Sequence, residues 1–287
     1  MSCPDCFRGG ISPGTPTGTE ETIHGLPTYV ARPPEGVTPR GIVVFVPDAF
    51  GWVFVNNRVL CDVYAKKGSY IVYLPDFMNG HSLHSDVIGY MDHVVEPAPT
   101  WLSLLTKPVS FLRMLPLAVP FMLNTKIPAT HPGVVSFIQK LRTSPPPFDT
   151  KDLKIGAAGF CWGGKHCVLL AADSEEDRVA RHGETEKKRL IDCVFTAHPS
   201  FLDLPKDIEA MTIPTFITVG DNDAVVGAKP AVETKALVDS MEGHEMVIEP
   251  GAKHGFSIRM RPGDKHEMEC AERAERQALE WFEKHLG

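Results

Sequence analysis

With 287 residues, 43% of them apolar and 23% charged, the chain is long enough to bury a substantial core as one large α/β domain or two small ones. Its 36 acidic residues outweigh 29 basic ones for a formal net charge of −7, and no stretch clusters lysine and arginine, which excludes a nucleic-acid surface. Seven scattered cysteines, an odd number, exclude a disulfide framework and point to a reducing, cytoplasmic setting.

Residues 1–27 form an irregular N-terminal extension, since Met1 to Glu21 is rich in Gly, Pro, Ser and Thr and lacks periodicity. Cys3 and Cys6 have neither a second ligand pair nor a strand-helix context, so they read as a tail pair without chemistry. No basic-apolar segment opens the chain as a targeting signal would. Thr28 to Arg32 reads as an early strand, and Gly41 to Val46 is a continuous β-branched run of the kind buried on both faces of a parallel sheet. The loop Pro47-Asp48-Ala49-Phe50-Gly51 follows, then a helical pattern over Val55 to Lys67 and a strand over Tyr70 to Leu74.

From Gly80 to Thr130 the rhythm stops, because an α/β connection is usually a few residues plus a helix. We read this insert as a cap over the carboxyl ends of the strands, where open α/β sheets bind ligands, with a homodimer surface as the alternative. Its apolar part, Trp101 to Leu123, is broken by Lys107, Pro108, Arg113, Pro116 and Pro120 and cannot be a smooth membrane span. His81, His84, Asp86, Asp92 and His93 read as solvated loop residues, and neither a metal nor another cofactor is expected.

Pro132 to Arg142 is helical in pattern, and the next strand delivers Gly159-Phe160-Cys161-Trp162-Gly163-Gly164. An apolar run, Gly-x-Cys-x-Gly and a helical pattern make the sharp turn that exposes a nucleophile above a parallel sheet, here a thiol at the positive end of a helix. The helix continues over Lys165 to Ala172, and the charged stretch Asp173 to Arg189 reads as a solvated helix extension or loop. Strands are expected over Leu190 to Ala197, ending on His198-Pro199-Ser200, over Ile213 to Val219, ending on Gly220-Asp221-Asn222-Asp223, and over Glu245 to Ile248. Helices are expected over Ala231 to Met241 and over Lys265 to His285, the latter with an apolar stripe of Ala271, Ala274, Ala278 and Trp281. Strands alternate with helices and no period repeats, so the reading is a single α/β domain: a doubly wound, mostly parallel sheet, helices on both faces, and an inserted cap at 80–130.

Nucleophilic catalysis needs an attacking group, a base and a group orienting the base. Cys161, an Asp after a later strand and His254 after the last strand stand in the chain order nucleophile, acid, histidine. Asp223 suits the turn better than Asp221, and His254 suits the order better than His198, which reads as a pocket wall or structural histidine. In such a site the backbone N–H of Trp162 and that of Ala49 or Phe50 would hold an oxyanion, with Trp162 and Phe50 flanking the pocket.

Gly-Phe-Cys-Trp-Gly-Gly, Gly-Asp-Asn-Asp and Lys-His-Gly-Phe in this order, with Pro75-Asp76-Phe77 after the second core strand, resemble the dienelactone hydrolase family of α/β-hydrolases, fungal members included. The resemblance runs from about Gly41 to the C-terminus and skips the insert. It implies an α/β-hydrolase fold and hydrolysis of a small-molecule ester or lactone through a thioester, with Cys161 as nucleophile, His254 as base and Asp223 as orienting acid. It also implies an acidic partner for the resting thiol at Asp48 and a substrate-binding arginine near Arg259, with Arg261 as competitor. The apolar insert points to a larger, more hydrophobic substrate. Two other readings share these residues: a cyclase or transacylase that excludes water, and a ligand-binding or redox-sensing protein that does not turn over.

Overall fold

The computed structural model describes residues 7–95 and 101–287, with side chains omitted for 101–105. Cys3 and Cys6 lie outside the described residues. In chain order the elements are β1 (Thr19–Ile23), β2 (Leu26–Ala31), β3 (Gly41–Val46), α1 (Val55–Gly68), β4 (Tyr70–Pro75), α2 (Asp86–Val95), α3 (Trp101–Asn124), α4 (Ile127–Thr143), β5 (Ile155–Phe160) and α5 (Trp162–Ala171). They continue with β6 (Val179–Ala180), β7 (Lys187–Lys188), β8 (Cys193–Ala197), α6 (Lys206–Glu209), β9 (Thr215–Gly220), α7 (Ala228–Asp239), β10 (His244–Glu249) and α8 (Lys265–Leu286).

Eight strands form one sheet in the order β1-β2-β4-β3-β5-β8-β9-β10. β1 and β2 are antiparallel to their neighbours, and every pairing from β4 to β10 is parallel. Strand alternation sends successive side chains to opposite faces. Thus on β4 Tyr70 meets Phe282 of α8 while Tyr73 meets Phe137 of α4. Residues of β3, β4, β5, β8 and β9 are buried throughout, which is why these strands read as unbroken apolar runs. Because they run the same way, the loops after β3, β5, β8, β9 and β10 all open on one edge of the sheet.

Three sequence expectations need correction. Residues 1–27 are not wholly irregular, because Thr19–Ile23 pairs with β2 from Thr19↔Val30 to Ile23↔Leu26. Its mostly polar sequence, Thr-Glu-Glu-Thr-Ile, suits an exposed edge and hides the strand from a search for apolar runs. The stretch Asp173 to Arg189 is the loop of the two expected forms, not the helix extension, and adds the unforeseen two-residue strands β6 and β7, paired Val179↔Lys188 and Ala180↔Lys187. In the insert, Trp101–Asn124 is one helix although Pro108, Pro116 and Pro120 lie within it. All three prolines are on its exposed side, so the carbonyls that lose an N–H partner there face water, which can solvate them.

At the far edge of the sheet a buried ion pair fixes α4. Arg142 donates to Asp192 (2.7 Å) and to the carbonyls of Leu190 (2.6 Å) and Leu153, and Asp192 also accepts from the N–H of Ile155 (2.8 Å). α8 starts where Asp264 accepts from the N–H of Glu267 (3.1 Å), and the expected stripe of Ala271, Ala274, Ala278 and Trp281 is buried.

Candidate active site

β5 ends at Phe160 and α5 begins at Trp162, so Cys161 alone reverses the chain, at φ 51° and ψ −112°. Side chains other than glycine rarely adopt such a conformation, which costs about 1–3 kcal/mol and has to be imposed by surrounding packing. The packing is tight because position 163 lacks a side chain: a Cβ on Gly163 would lie 2.0 Å from the Val46 carbonyl oxygen. Instead the N–H of Gly163 donates to the Pro47 carbonyl (3.1 Å), which pins the elbow to the loop after β3. Cys161 is buried, its sulfur near the N-terminal end of α5.

From the loop after β10 comes His254, and from the loop after β9 comes Asp223. His254 Nδ1 donates to Asp223 Oδ2 (2.9 Å) and Oδ1 (3.1 Å), and Oδ1 also accepts from the N–H groups of Val225 (2.8 Å) and Val226 (3.3 Å). Asp221 instead is exposed and accepts from the N–H of Gly251 (2.6 Å), so it stabilises the turn. Burial alone would lower the His254 pKa. The charge of Cys161 and hydrogen bonds with Asp223 and Cys161 outweigh it and raise the imidazole to about 10. The charge that raises the imidazole is that of the sulfur beside it, so the two groups are electrostatically linked.

Ser200, from the loop after β8, was not singled out by sequence reasoning. Its Oγ lies 3.4 Å from Cys161 Sγ and 3.4 Å from His254 Nε2, and its N–H donates to the Cys161 carbonyl (2.9 Å). The rule that selected His254, a polar residue just beyond a strand's carboxyl end, applies equally to Ser200. A hydroxyl without an expected role gave no further signal.

The other expected site residues surround this group. Asp48 is fully buried; its Oδ1 accepts from Asn57 Nδ2 (3.0 Å) and from the N–H of Phe50 (3.2 Å), and its Oδ2 pairs with Arg259. Burial pushes the Asp48 carboxyl up, Arg259 opposes that, and the charge of Cys161 adds to it. Arg259, expected to hold a substrate carboxylate, thus engages a protein carboxylate; it also donates to the Arg8 carbonyl (2.9 Å) and lies 5.4 Å over the Phe50 ring. The Phe50 N–H, one of the two loop donors expected for an oxyanion, is directed to Asp48. His198 lies behind His254, ring centroids 4.9 Å apart, with Nε2 bonded to Ser257 Oγ (2.8 Å). Burial and the neighbouring charges of His254 and Arg259 drive its pKa far down, so it stays neutral.

The Trp162 indole turns toward the insert and donates to the Thr125 carbonyl (2.8 Å). Beside it a cleft of about 400 Å³ is lined chiefly by Phe121, Met122, Ile127, Pro128, Trp162 and Phe201, an apolar wall next to the residues that follow Cys161 and Ser200. Other apolar side chains of α3, among them Phe111, Leu112 and Leu123, face solvent, so the insert divides its apolar surface between cleft and exterior. Under Trp162, His166 of α5 stacks on His131 of α4 with Nδ1 atoms 3.1 Å apart; burial lowers His131 to about 4 and His166 to about 3. Of the histidines and acids of the insert, Asp92 pairs with Arg8 (2.8 Å) and Arg261 (3.8 Å), and His93 bonds Thr106 (2.9 Å). Among the described residues no helix is long and apolar enough to cross a membrane.

The dienelactone hydrolase family matches residues 26–286. Hydrolase pyvD of Aspergillus violaceofuscus is 25% identical over 98% of this chain and 96% of its own length. Hydrolase tropI of Talaromyces stipitatus is 27% identical over 100% and 96%, respectively. Among solved structures, a dienelactone hydrolase from Anabaena variabilis superposes with a TM-score of 0.56 at 17% identity, covering 94% of this chain and 98% of that one. A thermophilic esterase from Thermogutta terrifontis gives 0.58 at 14% identity, covering 95% and 94%. These likenesses show the α/β-hydrolase fold.

Proposed function

The chain belongs to the dienelactone hydrolase family and is an ester- or lactone-cleaving hydrolase, and from that premise we propose that it acts through a cysteine acyl-enzyme. The observation that carries this reading is the continuous path Asp223–His254–Cys161, with the imidazole held protonated by the adjoining sulfur. The thiolate attacks the acyl carbon, and the N–H groups of Trp162 and Ala49 stabilise the oxyanion. Collapse breaks the carbon–oxygen bond while His254 Nε2 gives its proton to the leaving oxygen. The neutral imidazole then takes a proton from water, whose oxygen attacks the thioester; the acid departs and the thiolate–imidazolium pair returns.

The apolar cleft beside Trp162 and Phe201 supports a hydrophobic ester or lactone as substrate. On this reading residues 80–130 form the lid of that cleft, and Phe121 and Met122 are its substrate-facing side chains. Four other described cysteines, Cys61, Cys167, Cys193 and Cys270, are free, in keeping with a reducing, cytoplasmic setting.

Turnover of activated short-chain esters by Cys161→Ala and His254→Ala proteins tests the mechanism. Both are expected to lose all but background activity while remaining folded, and the wild type is expected to release acid carrying one solvent oxygen in labelled water. Wild-type turnover by Cys161→Ala would sink the cysteine assignment.

A further inference from the structure

We propose that Ser200 is a positioning residue for the nucleophile, its hydroxyl donating to the sulfur of Cys161 while sharing, as a second acceptor, the Nε2–H that His254 also directs at that sulfur. This rests on the reading of Cys161 and His254 given above and adds a fourth participant to it.

The geometry carries the proposal. Ser200 Oγ is equidistant, at 3.4 Å, from Sγ and Nε2. One hydroxyl supplies one donor and an acceptor, which is what a thiolate and an imidazolium N–H require of a group between them. The residue is buried, so this neighbourhood is shielded from bulk water. Its position does not depend on the hydroxyl, because its N–H donates to the Cys161 carbonyl (2.9 Å), which also accepts from Gly164 (3.1 Å).

The chain around Ser200 is strained on both sides. His198 has φ 41° and Phe201 has φ 62°, positive values uncommon outside glycine, and together with Cys161 they place three such residues within this one corner. Packing enforces the strain: a Cβ on Gly164 would stand 2.7 Å from Pro199 Cβ and 2.7 Å from Thr196 Oγ1, so α5 approaches the loop closely only because it carries glycine there. A loop wanted only to connect β8 to α6 has no need of this conformation, whereas holding the Ser200 hydroxyl between sulfur and imidazole gives it a purpose.

Other charged or titratable groups face the pair. Asp223 holds Nδ1, His198 lies against the His254 ring, and Asp48 with Arg259 lies on the side of the loop after β3. Each contributes a fixed or neutral influence that a Ser200 substitution leaves in place, so a change in thiol behaviour on removing the hydroxyl reports the hydroxyl.

The test measures Cys161 alkylation by iodoacetamide against pH, read by mass spectrometry at that residue, in wild type, Ser200→Ala and Ser200→Thr, alongside kcat and KM for an activated ester. In Ser200→Ala the acid limb of alkylation is expected to move up by about one pH unit, with kcat about tenfold lower and KM unchanged, the size of one hydrogen bond to a charged group. Ser200→Thr, which keeps the hydroxyl, is expected to restore the limb. A Ser200→Ala profile superimposable on wild type overturns the proposal. So does complete loss of turnover in Ser200→Ala combined with full turnover in Cys161→Ala, since Ser200 would then be the attacking group. Alkylation is read at Cys161 whether or not that residue turns over substrate, so failure of the cysteine mechanism and failure of the Ser200 role give different results.

Discussion

Asp48 and Arg259 form a buried ion pair beside the elbow, and their arrangement decides how the resting thiol is influenced. Asp48 accepts from Asn57, the Phe50 N–H and Arg259, and the charge of Cys161 adds to the burial that pushes its carboxyl up. Two negative groups repel, which makes Asp48 an opponent of the thiolate. Asp48→Asn is therefore expected to move the acid limb of Cys161 alkylation down in pH, opposite in sign to Ser200→Ala. The same change leaves Arg259 without its buried carboxylate and is expected to lower stability by about 3–5 kcal/mol, read by urea unfolding. An unchanged alkylation profile with an unchanged unfolding midpoint would contradict both statements.

α3 shows how a single element joins the insert to the chemistry. The indole of Trp162 is adjacent in sequence to Cys161 yet bonds the Thr125 carbonyl just after that helix, so the elbow and the wall of the cleft move as one piece. Replacing Trp162 with Phe keeps most of the ring and removes the donor. Such a protein is expected to bind long-chain activated esters more weakly, KM rising about five- to tenfold, with acetate esters affected little. Equal KM ratios for acetate and octanoate esters would argue against a lid. Much of this element pattern was legible in advance, because strands buried on both faces read as unbroken apolar runs and because Cys161 and Asp223 each follow one of them, while His254 follows the half-buried β10. What stayed hidden had physical causes. β1 is a polar edge strand, β6 and β7 are two residues each, and the prolines of α3 suggested breaks that an exposed helix face tolerates. Ser200 stayed hidden because a serine's role depends on which side chains the fold brings to it.

Across the molecule, buried histidines set opposite pH limits. His131 and His166, lowered by burial to about 4 and about 3 from 6.5, are neutral in the fold. Their contribution to stability is complete above 6.5 and is lost as pH falls through those values. His254, raised to about 10, is charged in the fold where the unfolded imidazole is neutral above 6.5; its contribution is complete below 6.5 and is lost as pH rises through about 10. Urea midpoints are thus expected to peak near neutrality and to fall on both sides. In Cys161→Ala the alkaline decline should flatten, since the charge that raises His254 is gone, while the acid decline persists. An alkaline limb identical in the two proteins would contradict the assignment of that limb to the imidazole. The place of the insert has a separate consequence. It enters between β4 and β5, whereas Cys161, Asp223 and His254 follow β5, β9 and β10. Selection can therefore lengthen, shorten or resurface the part of residues 80–130 away from the Trp162–Thr125 bond without touching the strands that carry Cys161, Asp223 and His254, so diversification of diet and preservation of chemistry are assigned to different stretches of one gene product.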